Sequence, residues 1–418
     1  MKTIFYRLFC VMLCAALSAT LACSKQGSAQ QETALRVLPG IDVLLQQKID
    51  LVRGKRVGLI TNPTGVTANL ASTIDVLHAH PEVTLVALFG PEHGVRGSVP
   101  AGEHIAHFVD ERTGVPVYSL YGAQKAPSPE MLNNVDVLLF DIQDVGVRPY
   151  TYIYTMAFAM QAAQQNNLPF VVLDRPNPLG GELVEGPMLE EEFSSFIGLY
   201  PIPYLHGLTI GELASFFNRE FDIHANLIVV PMQSWRRNMA FAATGLPWVP
   251  TSPHVPHETT PFYLAATGGL GELQVVNEGV GYTSPFEYIG APWIDAHALA
   301  EALNVHDLDG VHFRPVHYKP YYGGKAGTLI HGVQIHVINY QAFRPIKTQL
   351  AILKTVHDLY PGQRIFNPLR LDMFHKAMGT DIVDKMIQND SSLKDIYAAC
   401  AYGVDVFVKK RKMYFLYD

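Results

Sequence analysis

The sequence predicts an α/β fold, a parallel sheet with crossover helices, followed by a second, smaller α+β domain. Two features predict it. From Lys55 onward, short apolar runs alternate with segments of helical period, which is how strands joined by crossover helices read. Past Trp248 the alternation fades: Pro250 to Pro261 is turn-rich, and Gly323 to Gly332 is poor in apolar residues. A chain of 418 residues with 48% apolar content has material for two such domains.

In chain order, Arg56 to Thr61 (RVGLIT) reads as the first strand, Leu70 to His80 as a helix stopped by Pro81, and Thr84 to Phe89 as the second strand. Val117 to Leu120, Val135 to Phe140 and Phe170 to Leu173 supply three more strands. The length and apolar spacing of Tyr150 to Asn167 give an amphipathic helix between the last two. Thr209 to Glu220 opens with a capping box, Thr209 to Glu212, and Asn226 to Val230 is a further strand. A domain boundary is expected near residue 245, giving 46–245 and 246–418.

Residues 1–22 have the layout of a secretory signal, with Lys2 and Arg7 ahead of the apolar run Leu8 to Ala22. The ending Ala-Thr-Leu-Ala-Cys resembles a bacterial lipoprotein signal, in which Cys23 is lipidated, and 23–45 then serves as a tether. The expected location is the bacterial cell envelope, periplasmic or on the outer membrane, with membrane contact only through the lipid. Cys10 and Cys14 leave with the signal, so Cys400 has no disulfide partner. Removing Lys2 and Arg7 leaves 29 basic against 38 acidic side chains, a balance that argues against a nucleic-acid partner.

Ligands of open parallel sheets sit outside the carboxyl ends of the strands. Here those ends are polar and marked by glycine or proline: Asn62-Pro63-Thr64-Gly65, then GPEHGVRG, DIQDVGVRPYTY, and DRPNPLGG followed by VEGP. GPEHGVRG lacks the G-x-G-x-x-G spacing of a dinucleotide site, so no nicotinamide or other cofactor is expected. Its plain reading is a glycine turn with Glu92 solvated and His93 packed. Against that, Gly90 and Pro91 restrict where Glu92 can point, and a partly desolvated carboxyl is suited to act as a general acid.

Asp141, Asp144 and Arg148 precede the cluster Tyr150, Tyr152 and Tyr154. One aspartate can cap the next helix and Arg148 can neutralise the other, yet tyrosines beside a polar strand end suit the faces of a sugar ring. Asp174, Arg175, Asn177 and Glu185 sit on proline-stiffened loops, either satisfying backbone or presented to a ligand with little entropic loss. In the second domain NEGVGYTSPFE offers Glu278, Tyr282 and Glu287 as cleft-lining candidates. His254 with His257, and His331 with His336, do not bring the ligands a zinc site needs, so no metal is expected. With no thiol nucleophile and no G-x-S-x-G elbow, carboxyl acid and base chemistry remains, as in glycoside hydrolysis.

FGPEHGVRG, DIQDVGVRPYTY, LDRPNPLGG with VEGP, HGLTIGELA, the pair Trp235-Arg236, and SPFEYIGAPW together resemble the exo-β-N-acetylmuramidases of the NamZ type, from about Leu51 to the C-terminus. The resemblance implies a Rossmann-like domain, a smaller C-terminal domain, and an active site between them. It also implies release of terminal N-acetylmuramic acid from the non-reducing end of peptidoglycan fragments, with Glu92 as the catalytic glutamate, oriented by His93. The second role stays open between Asp141, Asp144 and the substrate's own acetamido oxygen. Expected substrate contacts are Asn62, Arg96, Arg148, Tyr150, Tyr152, Asp174, Arg175, Asn177, Glu185, Glu278 and Tyr282. Family members often carry an arginine where this chain has Val280, so Arg96, Arg148, Arg175 or Arg236 must hold the lactyl carboxylate. A rival reading is a non-catalytic lipoprotein that captures wall fragments; a second is a nicotinamide-dependent glycosidase.

Overall fold

A computed structural model describes residues 36–97 and 107–418; the expected signal segment, Cys23 and the tether up to residue 35 lie outside the described residues. Of the stretch 23–45 expected as tether, residues 37–45 are part of the fold. Val37 is buried and donates its backbone N–H to the Thr244 carbonyl at 3.1 Å, and Leu38 bridges to Gln233. Helix α1 (Gly40–Gln47) then lays Ile41, Val43 and Leu44 into the core, its first five residues being buried on every side.

The strands of the first domain are β1 (Arg56–Thr61), β2 (Thr84–Gly90), β3 (Phe108–Val109), β4 (Pro116–Ser119), β5 (Val137–Asp141) and β6 (Phe170–Leu173). A small antiparallel pair follows, β7 (Glu185–Met188) and β8 (Pro203–Leu205), and then β9 (Leu227–Val230). They form a seven-stranded sheet in the order β3-β4-β2-β1-β5-β6-β9, parallel throughout apart from the short edge strand β3. Without β3, the parallel strands run 3-2-1-4-5-6 in chain order, the doubly wound arrangement of Rossmann-type sheets.

Both faces of the sheet are covered, which is why its strands are apolar almost without alternation. One face packs against α1 and α2 (Thr73–Ala79). The other packs against α4 (Tyr152–Gln165) and α5 (Ile210–Glu220), with α3 (Pro129–Leu132) at its margin. The expected capping box is present: the Thr209 side chain accepts from the Glu212 N–H, and Glu212 accepts from the Thr209 N–H.

The second domain begins with α6 (Thr260–Gly271) and continues through β10 (Tyr288–Ala291), α7 (Ala296–Asn304), β11 (Val311–Tyr318) and β12 (Ile330–Val337). Its three strands make an antiparallel sheet in the order β10-β12-β11. Helices α8 (Pro345–Leu359), α9 (Leu371–Met378), α10 (Ile382–Gln388), α11 (Leu393–Cys400) and α12 (Val404–Arg411) complete the chain.

The two domains share a core. Val145, Val147, Leu179 and Tyr204 from the first pack with Phe262, Phe343, Leu350 and Phe374 from the second. Arg148 strengthens that junction. Fully buried, it donates to the carbonyls of Pro187, Ile202 and Ala377 at 2.8, 3.0 and 2.9 Å.

Candidate active site

In this strand order the direction of winding reverses between β1 and β5, and the crevice at their carboxyl ends is where such sheets hold ligands. The turns after β1, β2 and β5 meet there. The turn after β2 is tight, closed by Gly94 N–H donating to the Pro91 carbonyl at 3.0 Å. A side chain at Gly90 would sit 3.1 Å from the Gly94 Cα and the Val95 nitrogen, so any larger residue would press against the backbone of the turn. His93 adopts φ 71°, the left-handed region that a non-glycine residue occupies at a cost.

Glu92 and His93 are left half-buried at the apex of this turn, while Val95 anchors its far side in the core. Arg96 fixes the exit. Its guanidinium donates to Asp110 at 2.7 and 2.9 Å and to Asp75 at 2.9 Å.

Around Glu92 stand three phenols. Burial raises Tyr121, Tyr150 and Tyr152 above the ordinary tyrosine value, Tyr150 to about 12, and the negative field of Glu92 adds to the effect at each. Tyr150 and Tyr152 meet edge to face at 5.0 Å and donate to the Thr251 hydroxyl and carbonyl at 3.1 and 2.6 Å. Asp144 lies behind them. Its Oδ2 accepts from the Gly146 N–H at 2.8 Å, its Oδ1 is enclosed without a partner, and burial raises it to about 7. Asn62 is also enclosed: Oδ1 accepts from Thr64, and Nδ2 lacks a hydrogen bond of good geometry.

Several expected contacts belong to the walls instead. Asp141, expected as base or nucleophile, is fully buried and bound bidentately by Arg175 at 2.6 and 2.9 Å, with Thr73 donating to it at 2.5 Å. Arg175 is thereby used up; it also donates to the Val66 carbonyl. Asp174 accepts from Thr209, the Gly211 N–H and Tyr417 at 2.8, 2.7 and 2.5 Å, and Asn177 bonds to the Leu208 carbonyl and the Leu179 N–H. Arg148 and Arg96 are occupied as described, and Asp144 and Asn62 present no reachable surface. Arg236 is exposed beside Trp235 and the C-terminal residues. The common reason is that the ends of a buried sheet need their backbone and charges satisfied, and these side chains do it.

Glu185 is at a different place, accepting from the Ile346 N–H at 3.2 Å at the start of α8. Glu278 turns its carboxyl into the fold against Gly271, and burial raises it to about 7. Tyr282 belongs to an aromatic cluster with Tyr288, Tyr318 and Tyr321, at ring distances of 5.5, 5.0 and 5.5 Å.

From that cluster the loop after β11 extends Tyr322, half of whose surface is exposed, to stack on His254 at 5.9 Å and 19°. Burial lowers the pKa of His254, and His93, within electrostatic reach, lowers it further. Sequence reading missed Tyr121, Thr251, Ser252, His254 and Tyr322 as site residues. The available signal was the run Thr251-Ser252-Pro253-His254, polar and proline-stiffened at the domain junction.

A two-domain α/β protein with a carboxyl, phenols and imidazoles gathered over the switch point has the make-up of a carbohydrate-processing hydrolase. The comparisons name the group. Residues 57–259 match the family profile described as exo-beta-N-acetylmuramidase NamZ, N-terminal, and 263–417 the corresponding C-terminal profile. The two meet near residue 260, later than the boundary expected at 245. Peptidoglycan beta-N-acetylmuramidase NamZ of Bacillus subtilis (strain 168) is 50% identical over 416 residues, covering 100% of both chains. A crystal structure of a DUF1343 family protein from Bacteroides fragilis NCTC 9343 superposes with TM-score 0.87 at 45% identity, covering 92% of this chain and 99% of that one. A second from the same organism gives TM-score 0.74 at 28% identity, covering 91% and 99%. The chain belongs to the exo-β-N-acetylmuramidase NamZ family.

Proposed function

We propose that the chain is a glycoside hydrolase that releases terminal N-acetylmuramic acid from the non-reducing end of peptidoglycan fragments, with Glu92 as the proton donor. The family membership and the 50% identity to the Bacillus subtilis enzyme support the reaction. The observation that carries the residue assignment is the half-buried Glu92 on a strained turn, ringed by three phenols over the switch point.

Glu92 gives its proton to the glycosidic oxygen as the bond from C1 breaks and its electron pair leaves with the aglycone. Asp141 is held by Arg175 and Asp144 is enclosed, so neither stands opposite to attack C1. The acetamido oxygen of the departing sugar takes that position. Water then opens the cyclic intermediate, its proton passing to the Glu92 carboxylate, so the anomeric configuration is retained. Tyr121 donates to a sugar hydroxyl and Tyr150, whose own hydrogen goes to Thr251, accepts from one; Tyr322 lies against a ring face, and the imidazoles of His93 and His254 take the lactyl carboxylate that the arginines cannot reach.

Incubation with a defined disaccharide of muramic acid and glucosamine, read by mass spectrometry, tests the reaction. Glu92→Gln is expected to lower kcat on a chromogenic muramide by about 10²- to 10⁴-fold with binding retained, as for loss of a general acid. Unchanged turnover in that variant defeats the assignment, and a parent protein that binds without turnover favours fragment capture. The envelope location and a lipid on Cys23 belong to the same proposal, supported by the sequence of residues 1–23.

A further inference from the structure

Two features singled out in the sequence, VEGP and Cys400, have no part in the chemistry at Glu92, yet they meet at one cavity. It measures about 200 Å³ and lies where β7 of the first domain abuts α8, α11 and the start of α12 in the second. Val184, Leu350, Cys400 and Val404 make its apolar lining, and Glu185, Lys347 and Tyr397 are its polar groups. None of the residues around Glu92 lines it.

Glu185 is the anomaly in that lining. Its Oε2 accepts from the Ile346 N–H, and its other oxygen has no donor among the described residues. Neither nearby cation forms an ion pair with it among the described residues: Arg344 donates to the carbonyls of Gln341, Ala342 and Phe343, and Lys347, which lines the same cavity, extends into solvent. A half-buried carboxyl at the edge of apolar walls, with one oxygen open to accept, favours a ligand that brings a donor and, better, a positive charge. The volume is on the scale of engineered apolar cavities that hold benzene.

We infer that this cavity is a second ligand site, which takes a small protonated primary amine with an apolar body, the ammonium on Glu185 and the body against Leu350, Cys400 and Val404. Occupancy ties β7 of one domain to α8 and α11 of the other. Burial holds Glu185 up to about 7, while Tyr397 and Cys400 facing it are each pushed up to about 12 and stay neutral. Arg344 and Lys347 are the cations nearest to it, and Glu185 is the group facing the cavity that changes ionisation between pH 6 and 8. An entering ammonium draws Glu185 into its ionised form, so affinity rises across that interval.

The test is calorimetric titration of the full-length protein with benzylamine, with benzyl alcohol as the uncharged counterpart, followed by a crystal soak. One site per chain is expected, with density in this cavity, tighter binding at pH 8 than at pH 6, and weaker binding of the alcohol. Glu185→Gln is expected to weaken benzylamine about tenfold while leaving the alcohol unchanged. Ala401→Trp, at the exposed rim, is expected to block both ligands and leave muramidase turnover unaltered. The inference is overturned if benzylamine does not bind, if the alcohol binds as tightly, if Glu185→Gln makes no difference, or if the amine acts by competing with the muramide substrate.

Discussion

Replacing Asp144 by asparagine should change stability in opposite directions at high and low pH. In the folded protein burial holds this carboxyl near 7, against an ordinary 3.8. At about 1.4 kcal/mol per pH unit, keeping it ionised inside costs up to about 4 kcal/mol. The unfolded chain ionises near the ordinary value, so between about pH 4 and pH 7 the folded state holds the extra proton. Stability from this group is therefore fullest below the ordinary value and declines as pH rises through the folded one. Asparagine removes that decline. It also places an amide N–H₂ where the unpartnered Oδ1 now sits, at about 1–3 kcal/mol, while its oxygen can still accept from Gly146. The variant should then be less stable than the parent at pH 4 and more stable at pH 8, by about 1–3 kcal/mol. Denaturant unfolding of both proteins at pH 4, 6 and 8 measures this. Asp174, Glu185 and Glu278, also raised to about 7, titrate in both proteins and cancel in the comparison. A difference that does not vary with pH refutes the reasoning.

Asp141→Asn should cost about 3–5 kcal/mol, because it leaves the Arg175 guanidinium buried without its carboxylate, and turnover per folded molecule should remain near the parent's. A stable variant without activity would return Asp141 to the catalytic set. Tyr322→Ala should raise KM on a chromogenic muramide about three- to tenfold with kcat little changed, the effect of losing one aromatic contact; an unchanged KM removes Tyr322 from the cleft. Cys23→Ser should move the protein from the membrane fraction to the soluble one, with a mass change at the N-terminus equal to the missing lipid.

The sheet was readable because its strands are buried on both faces and its crossovers have helical period. RVGLIT, FVVL and the capping box at Thr209 fall where the sequence puts them. The start of the fold at Val37 was less so, since the mostly polar stretch Ser24 to Glu32 looks like tether and hides the short helix Gly40–Gln47 that follows. The second domain was obscure for a physical reason. The exposed face of β11 changes along its length, Val311 and Phe313 packing on one core and Val316 and Tyr318 on another, so its alternation does not keep one phase. His254 and Tyr322 were invisible because they lie 68 positions apart in sequence, on irregular loops, and meet only through folding.

The strand-end loops surround the candidate site, but most of their polar side chains are engaged in internal contacts, and burial explains why. Where a doubly wound sheet stops, backbone groups and charges must be satisfied without water, so the richest motifs there are internal bracing: Asp141 with Arg175, Asp174 with Thr209 and Tyr417, Arg148 with three carbonyls. A side chain consumed in this way cannot also bind a sugar. What remains reachable is less conspicuous: Glu92 and His93 on a turn that spends backbone strain to present them, Tyr150 at a helix start, and His254 and Tyr322 from the junction and the second domain. The bracing thus acts on catalysis indirectly. In the proposed mechanism it fixes the walls so that Glu92, as the proposed donor, meets the glycosidic oxygen with little left to reorganise, which is where a preorganised site gains its rate.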